Sequence, residues 1–591
     1  MRRLGLATRS GADRPAYRRQ VSTPSQPALP SDLEIDRSTA LRPIEEVAAG
    51  TGLPRELVEP YGRDVAKISL AAREALADRP PAAVVVVTAI TPTPLGEGKT
   101  TTAVGLAQGL ARIGHRPVLT LRQPSMGPTF GIKGGAAGAG YSQVLPMERL
   151  NLHLTGDFHA VTAAHNLLAA MVDNHLHHGN ALGIDPRNIS WRRVLDVNDR
   201  SLRNVIVGLG ARLDGVPRQA GFDITAASEV MVVLALATSL ADLRARLGRL
   251  VVGYTYAGGP VTAEDLQCAG AMAVILKDAL MPNLLQTVEH VPTLVHTGPF
   301  GNIATGNSSV VADQIGVRMG DLLLTEAGFG ADMGLERFVN VKSRVSGIRP
   351  SAAVVVATVR ALKAHSGRFR IAAGRPLPPE LLAEDVDAVE AGMANLRAHL
   401  EIVRGFGLPA VVAINAFPTD HDSEHDAITK AALDLGARVA VGSYVANGGA
   451  GALELAREVA AAAAQPVDLR FSYDLDEPLT GKIEAVARRV YGAAGVDLAP
   501  EAAAALRRFE ALGFGSLPVV VAKTHLSISS DPTLLGAPSG WRLPVREVRL
   551  AAGAGYVYAI SGEMRTMPGL STQPAATRID LDADGQVVGL S

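Results

Sequence analysis

Cysteine is nearly missing from this chain. Among 591 residues only Cys268 carries a thiol, which excludes an intramolecular disulfide and a cysteine-built zinc cluster. Aromatic residues make up 4% of the sequence, and Lys plus Arg (57) almost cancel Asp plus Glu (58), giving a formal charge of −1. The total charge therefore offers no electrostatic case for nucleic acid or an anionic membrane, and any anion site must be local. Long apolar runs are also missing: the run 230–240 is bounded by Glu229 and Asp242, too short for a bilayer, and predicts a buried helix. Residues 1–31 lack the apolar core of a secretory signal and read as a disordered tail. Their Arg content, with Asp13 the only acid before Asp32, keeps a transit peptide or a misplaced start as alternatives. What is abundant is glycine, 60 residues, within a 47% hydrophobic fraction. That balance describes an Ala/Val/Gly-rich α/β protein, long enough for about three or four domains.

Short β-branched runs at 84–87, 118–121, 250–252, 353–357, 410–414 and 439–441 alternate with Ala/Leu-rich helical stretches. This alternation predicts crossover units and a buried, mostly parallel sheet. The glycine-dense stretch 130–141 has neither period and reads as a loop lining a site. Beyond residue 466 the pattern changes to helices at 482–491 and 500–512 and strands at 518–522 and 556–560. The expected fold is α/β, a P-loop NTPase-like mostly parallel sheet with inserted and C-terminal smaller α+β domains. Its parts are a tail 1–31, a nucleotide-binding region 32–465 with an inserted subdomain at roughly 123–240, and a C-terminal α+β domain 466–591.

The strongest local signal is a strand at 83–87, a loop Thr93-Pro94-Leu95-Gly96-Glu97-Gly98-Lys99-Thr100, and a helix over 101–113. Glycines let amides point into one concavity, and the helix start adds positive potential. Lys99 can then reach the β- and γ-phosphates of ATP, and the Thr100 hydroxyl can hold Mg²⁺. The usual first glycine is replaced by Thr93, and Pro92 and Pro94 stiffen the loop.

Further motifs follow in order: Arg122-Gln123-Pro124-Ser125-Met126-Gly127, Lys133-Gly134-Gly135, Thr155-Gly156-Asp157-Phe158-His159, Gly221-Phe222-Asp223, Gly298-Pro299-Phe300, Thr325-Glu326-Ala327-Gly328-Phe329-Gly330, Ala413-Ile414-Asn415-Ala416-Phe417-Pro418 and Thr566-Met567-Pro568-Gly569. With the phosphate loop they closely resemble formate–tetrahydrofolate ligases, from roughly residue 32 to the end. The resemblance implies that formate, ATP and tetrahydrofolate become 10-formyltetrahydrofolate, ADP and phosphate through formyl phosphate. It implies catalytic roles for Lys99, Arg122 and Asp157: Lys99 on the ATP side, Arg122 as a guanidinium fork on the acyl phosphate, and Asp157 orienting the amine or accepting its proton. Gly134 and Gly135 would approach the substrate, and Phe329 is either a stacking face or a core residue. A homotetramer in the cytoplasm, activated by a monovalent cation such as K⁺ or NH₄⁺, is implied as well. The histidines at 153, 159, 165, 175, 177 and 178 match no zinc pattern and read as core or cap residues.

The chain departs from that family in places. Val445 and Asn447 stand where the pattern has tryptophan and lysine, with Tyr444 next door as a substitute ring face. Thr305 and its neighbours lack a histidine and a cysteine, Asp313-Gln314 replace Thr-Lys, and Ala139 and Ser366 replace glycines. Two other readings stay open on these grounds: a carboxylate-activating ligase with a different acceptor, and an ATP-binding homologue without catalysis.

Overall fold

The structure, a computed structural model, describes residues 29–94, 96–131, 137–301, 303, 305–369, 371, 376–562 and 564–590. Most of the expected tail, together with Leu95, Gly134 and Gly135, lies outside the described residues. Ser31, counted with the tail by composition, instead caps the helix Asp32–Ser38 through a capping box with Glu34.

A 12-stranded sheet organises the chain. Its parallel part runs Pro292–Val295, Pro117–Leu121, Leu322–Glu326, Ala83–Ala89, Ala352–Ala357, Ala410–Asn415 and Arg438–Gly442. Antiparallel pairing is confined to the side where Asn283–Thr287 joins Pro292–Val295, Ala66–Ile68 and Ser142–Leu145. The strand Ala83–Ala89 shows why the sheet is buried on both faces. Its Val84 and Val86 point into one core and its Val85, Val87 and Ala89 into the other, as the two-residue period of a strand requires. Each fully buried Val contributes roughly 1.5–3 kcal/mol. One core is closed by the helices Lys99–Arg112 and Leu453–Ala463, the other by Val310–Gly316, Val359–His365 and Val386–Gly405.

Two expectations need correction. The run 230–240 is not one helix: Glu229–Leu236 ends, and Ser239 caps a second helix, Leu240–Gly248, by accepting from Asp242 N. The segment expected as a strand at 250–252 forms Val251–Thr255, but in a separate 3-stranded sheet with Ile184–Ile189 and Pro260–Thr262. Its apolar content marked burial without saying which sheet it joins. Between Pro117–Leu121 and Asn283–Thr287, among the described residues, the chain touches the central sheet through Ser142–Leu145 and its partner Gly138–Ala139. Beyond residue 466 the helices Leu479–Arg489 and Pro500–Ala511 pack with small sheets built on Gly495–Leu498 and Val519–Ala522. No helix among the described residues is long and apolar enough to cross a membrane.

Candidate active site

All seven parallel strands present their carboxyl ends at one edge, where a doubly wound sheet binds ligands. The phosphate loop leaves Ala83–Ala89 at this edge and enters the helix Lys99–Arg112. Gly98 adopts φ +72°, and a Cβ there would stand 2.4 Å from Asn415 Nδ2. Glycine is thus required twice, by backbone conformation and by space. Asn415, the last residue of Ala410–Asn415, donates to the Glu97 carbonyl at 3.2 Å, while the buried Glu97 carboxylate accepts from Thr93 N at 2.6 Å. The loop is therefore closed from both ends, with Pro94 and Gly96 left exposed. Lys99 is the first residue of the helix, half-buried, with no carboxylate partner among the described residues.

The strand Leu322–Glu326 lies between the strand of the phosphate loop and Pro117–Leu121, in a register that sets Glu326 beside Val87. Glu326 thereby accepts a hydrogen bond from the Thr100 hydroxyl at 2.9 Å. Arg122 follows the neighbouring strand; its Nη1 donates to the Pro299 carbonyl at 3.1 Å. The guanidinium also crowds Gly328, where a Cβ would meet Nη2 at 2.9 Å. Burial lowers the Arg122 pKa from its ordinary value, Glu326 opposes that shift, and Arg337 adds to it. The group remains cationic, since a guanidinium does not deprotonate in the neutral range. Glu326 thus stands between the hydroxyl of the phosphate loop and the guanidinium, and its carboxylate and Thr100 Oγ1 are oxygen donors of the kind that could hold Mg²⁺. No cluster of three or more His, Cys, Asp or Glu suited to a metal occurs among the described residues.

Asp157 opens the helix Asp157–His177 behind Gly156, which has φ +86°. It is buried, and both oxygens are engaged: Oδ1 with Lys67 Nζ at 2.9 Å and Oδ2 with Asn283 Nδ2 at 2.8 Å. In this arrangement Asp157 is half of a sealed ion pair rather than an open base. Its neighbour Phe158 packs against Gly298, where an added Cβ would also strike the Gln123 carbonyl, so the pair lies close behind the Arg122 loop.

Phe329 is half-buried with φ +59°, stacked on His525 with centroids 4.5 Å apart and planes 17° apart. Its ring edge lies over Gly301. The two rings cover each other's inner faces, and the C-terminal region supplies the imidazole. Tyr444 does not supply a ring face: it is 0% exposed. Its Cβ presses on Gly105 of the Lys99–Arg112 helix and its carbonyl accepts from Ser142 Oγ. The expected stacking role gives way to core packing, which a tyrosine beside a glycine-bearing helix explains. Val445 is half-buried against Gly140, with Tyr141 N donating to its carbonyl. Other departures are absorbed by the core: Asp313 pairs with Lys342 at 2.6 Å, and Gln314 accepts from Arg73 and donates to Ser346 O. Among the histidines, His165 bonds Ser228 and the Arg192 carbonyl, and His153 bonds His159.

Comparison with known proteins decides the family. A family model described as formate–tetrahydrofolate ligase matches residues 30–591. The chain belongs to the formate–tetrahydrofolate ligase family. Curated relatives bearing that name include proteins from Saccharopolyspora erythraea, 67% identical over 95% of this chain and 100% of the relative, and Cutibacterium acnes, 66% identical over the same shares. A more distant one, from Herpetosiphon aurantiacus, is 53% identical over 95% of this chain and 100% of its own. Sequence reasoning did not assign Glu326, Asn415 or Lys67 to the site. Glu326 and Asn415 each end an apolar β-run on a polar residue, a signal that is readable once strand order is known.

Proposed function

We propose that the chain ligates formate to tetrahydrofolate at the expense of ATP, giving 10-formyltetrahydrofolate, ADP and phosphate through formyl phosphate. The observation carrying this reading is Glu326, joined to Thr100 on one side and in charge range of Arg122 on the other. Its strand lies between the strand that leads into the phosphate loop and the strand that leads to Arg122. Formate is an anion and a poor electrophile; its oxygen attacks the γ-phosphorus and ADP leaves. The amine of the folate then attacks the formyl carbon, and phosphate departs carrying one formate oxygen and able to take the amine proton.

In this reading Gly96, Gly98 and Lys99 cradle the ATP phosphates, as in a P-loop NTPase-like site. Thr93, Pro94, Leu95 and Glu97 shape the loop. Arg122 stabilises the charge on the transferring phosphoryl and the acyl phosphate. Thr100 and Glu326 would hold Mg²⁺, which neutralises phosphate charge when bound. Asp157 acts through Lys67, fixing the wall behind Arg122. Gly134, Gly135 and the Phe329–His525 pair receive the folate ring. The family reading also takes a homotetramer in the cytoplasm and a monovalent cation as activator. The test is formation of formyltetrahydrofolate from ATP, formate and tetrahydrofolate, with each omitted in turn. Product formed without ATP or without formate would contradict the reading.

A further inference from the structure

Pro92 and Pro94 carry no amide hydrogen, so across 92–94 only Thr93 N can be held, by Glu97 of the loop itself. Ahead of the prolines the chain is braced from outside. Thr91, fully buried two residues before Thr93, has all of its polar atoms held by side chains from two helices. Its amide donates to Asn395 Oδ1 at 3.0 Å, and its carbonyl meets His365 Nε2 at 2.9 Å. Its hydroxyl meets His399 Nε2 and accepts from Asn395 Nδ2, both at 2.9 Å. Asn395 and His399 stand one turn apart on Val386–Gly405 and so share a face. His365 closes the helix Val359–His365.

An apolar contact would have filled this space without buried polar groups, whose desolvation is unfavourable unless each finds a partner. Here the partners are spent on one backbone position. Burial drives the His399 pKa down to about 4, with Lys99 and Lys523 among the charges that disfavour its cation. The ring is thus neutral at ordinary pH. The clamp also reaches the C-terminal region: Asn395 Nδ2 donates to the Gly536 carbonyl at 2.8 Å. From the same region Lys523 pairs with buried Asp332 at 2.7 Å. A Cβ on Gly330 would touch both Asp332 and His399.

We propose that Asn395, His399 and His365 are positioning residues for ATP, fixing the backbone at Thr91 so that the amides of the loop and Lys99 meet the phosphates without reorganisation. This rests on the reading that the loop at 93–100 binds ATP. A loop free at its entry would occupy the binding geometry only part of the time, and affinity falls by that fraction. None of the three touches the nucleotide in this account.

The test compares His399→Ala, Asn395→Ala and the conservative His399→Gln, whose amide can reach the Thr91 hydroxyl. The readouts are Kd for Mg-ATP by calorimetry and KM for ATP, formate and tetrahydrofolate. Both alanine variants are expected to weaken ATP roughly tenfold and to leave the formate and folate KM values within about twofold, with His399→Gln retaining most of the affinity that His399→Ala loses. Should His399→Ala not fold, Thr91→Val removes the same hydroxyl at constant shape and carries the same expectation. An unchanged ATP Kd in a folded variant, or equal rises in all three KM values, overturns the proposal. Lys99→Ala is measured alongside. If it binds ATP like the unaltered protein, the nucleotide reading itself fails; if it loses ATP while the clamp variants do not, only the clamp fails.

Discussion

In the proposed site, the phosphate side and the ring side are built on different principles. On the phosphate side a contiguous strand, loop and helix beginning at Lys99 form the nucleus, to which strand pairing adds Asn415, Glu326 and Arg122. The ring side has no contiguous nucleus and is assembled from distant segments alone. Phe329 meets His525 from almost two hundred residues away, and Val445 meets Gly140 from about three hundred. Phosphate recognition uses backbone amides and fixed charge, which a short motif encodes. Recognition of a flat ring needs only an apolar surface of suitable shape, which many combinations of residues provide. The phosphate side should therefore fail on single substitutions and the ring side should degrade by degrees.

The largest effects are expected at the buried ion pair and the two cations. Asp157→Ala leaves Lys67 charged and unpaired in the interior, so stability should fall by about 3–5 kcal/mol in chemical denaturation, whereas Lys67→Met with Asp157→Leu should restore most of it. A catalytic base role for Asp157 would instead leave stability near the original while turnover collapses. Lys99→Ala and Arg122→Ala should each lower turnover on the order of 10²–10³-fold without unfolding, measured as formyltetrahydrofolate formation at saturating substrates. Residual turnover within a factor of ten of the original would remove either residue from the chemistry.

Smaller changes are expected on the other side. His525→Ala should raise the folate KM by about tenfold at most, since a stacked ring pair is worth about 0.5–1.5 kcal/mol beyond its area. A loss of turnover at saturating folate would show that His525 does more than stack. Val445→Trp should lower the folate KM by a few-fold, because Tyr444 is sealed in the core and does not occupy that space. A raised KM would show that the Gly140 contact leaves no room for the indole.

How much could be read beforehand follows the same division. The strands at 84–87, 353–357 and 410–414 were legible because a buried parallel strand is a continuous apolar run. Strand order was not, since it is fixed by pairings far apart in sequence, and without it Glu326 is merely an acid after three leucines and a threonine. Val251–Thr255 shows the limit: the same apolar signature belongs to a strand outside the central sheet. Lys99 and Thr100 stood out as candidates by their place in a strand–loop–helix pattern. The clamp on Thr91 was invisible, since Asn395 and His399 lie inside a helix whose apolar period gives no hint of what its polar residues touch.

The central claim is that formate is phosphorylated before it meets the amine. Formate labelled with ¹⁸O at both oxygens tests it in one reaction with unlabelled ATP, water and tetrahydrofolate. The account predicts that one ¹⁸O per turnover appears in inorganic phosphate, because the bond broken in the second step lies between the formyl carbon and that oxygen. Phosphate free of label, with labelled formyltetrahydrofolate still formed, would contradict it.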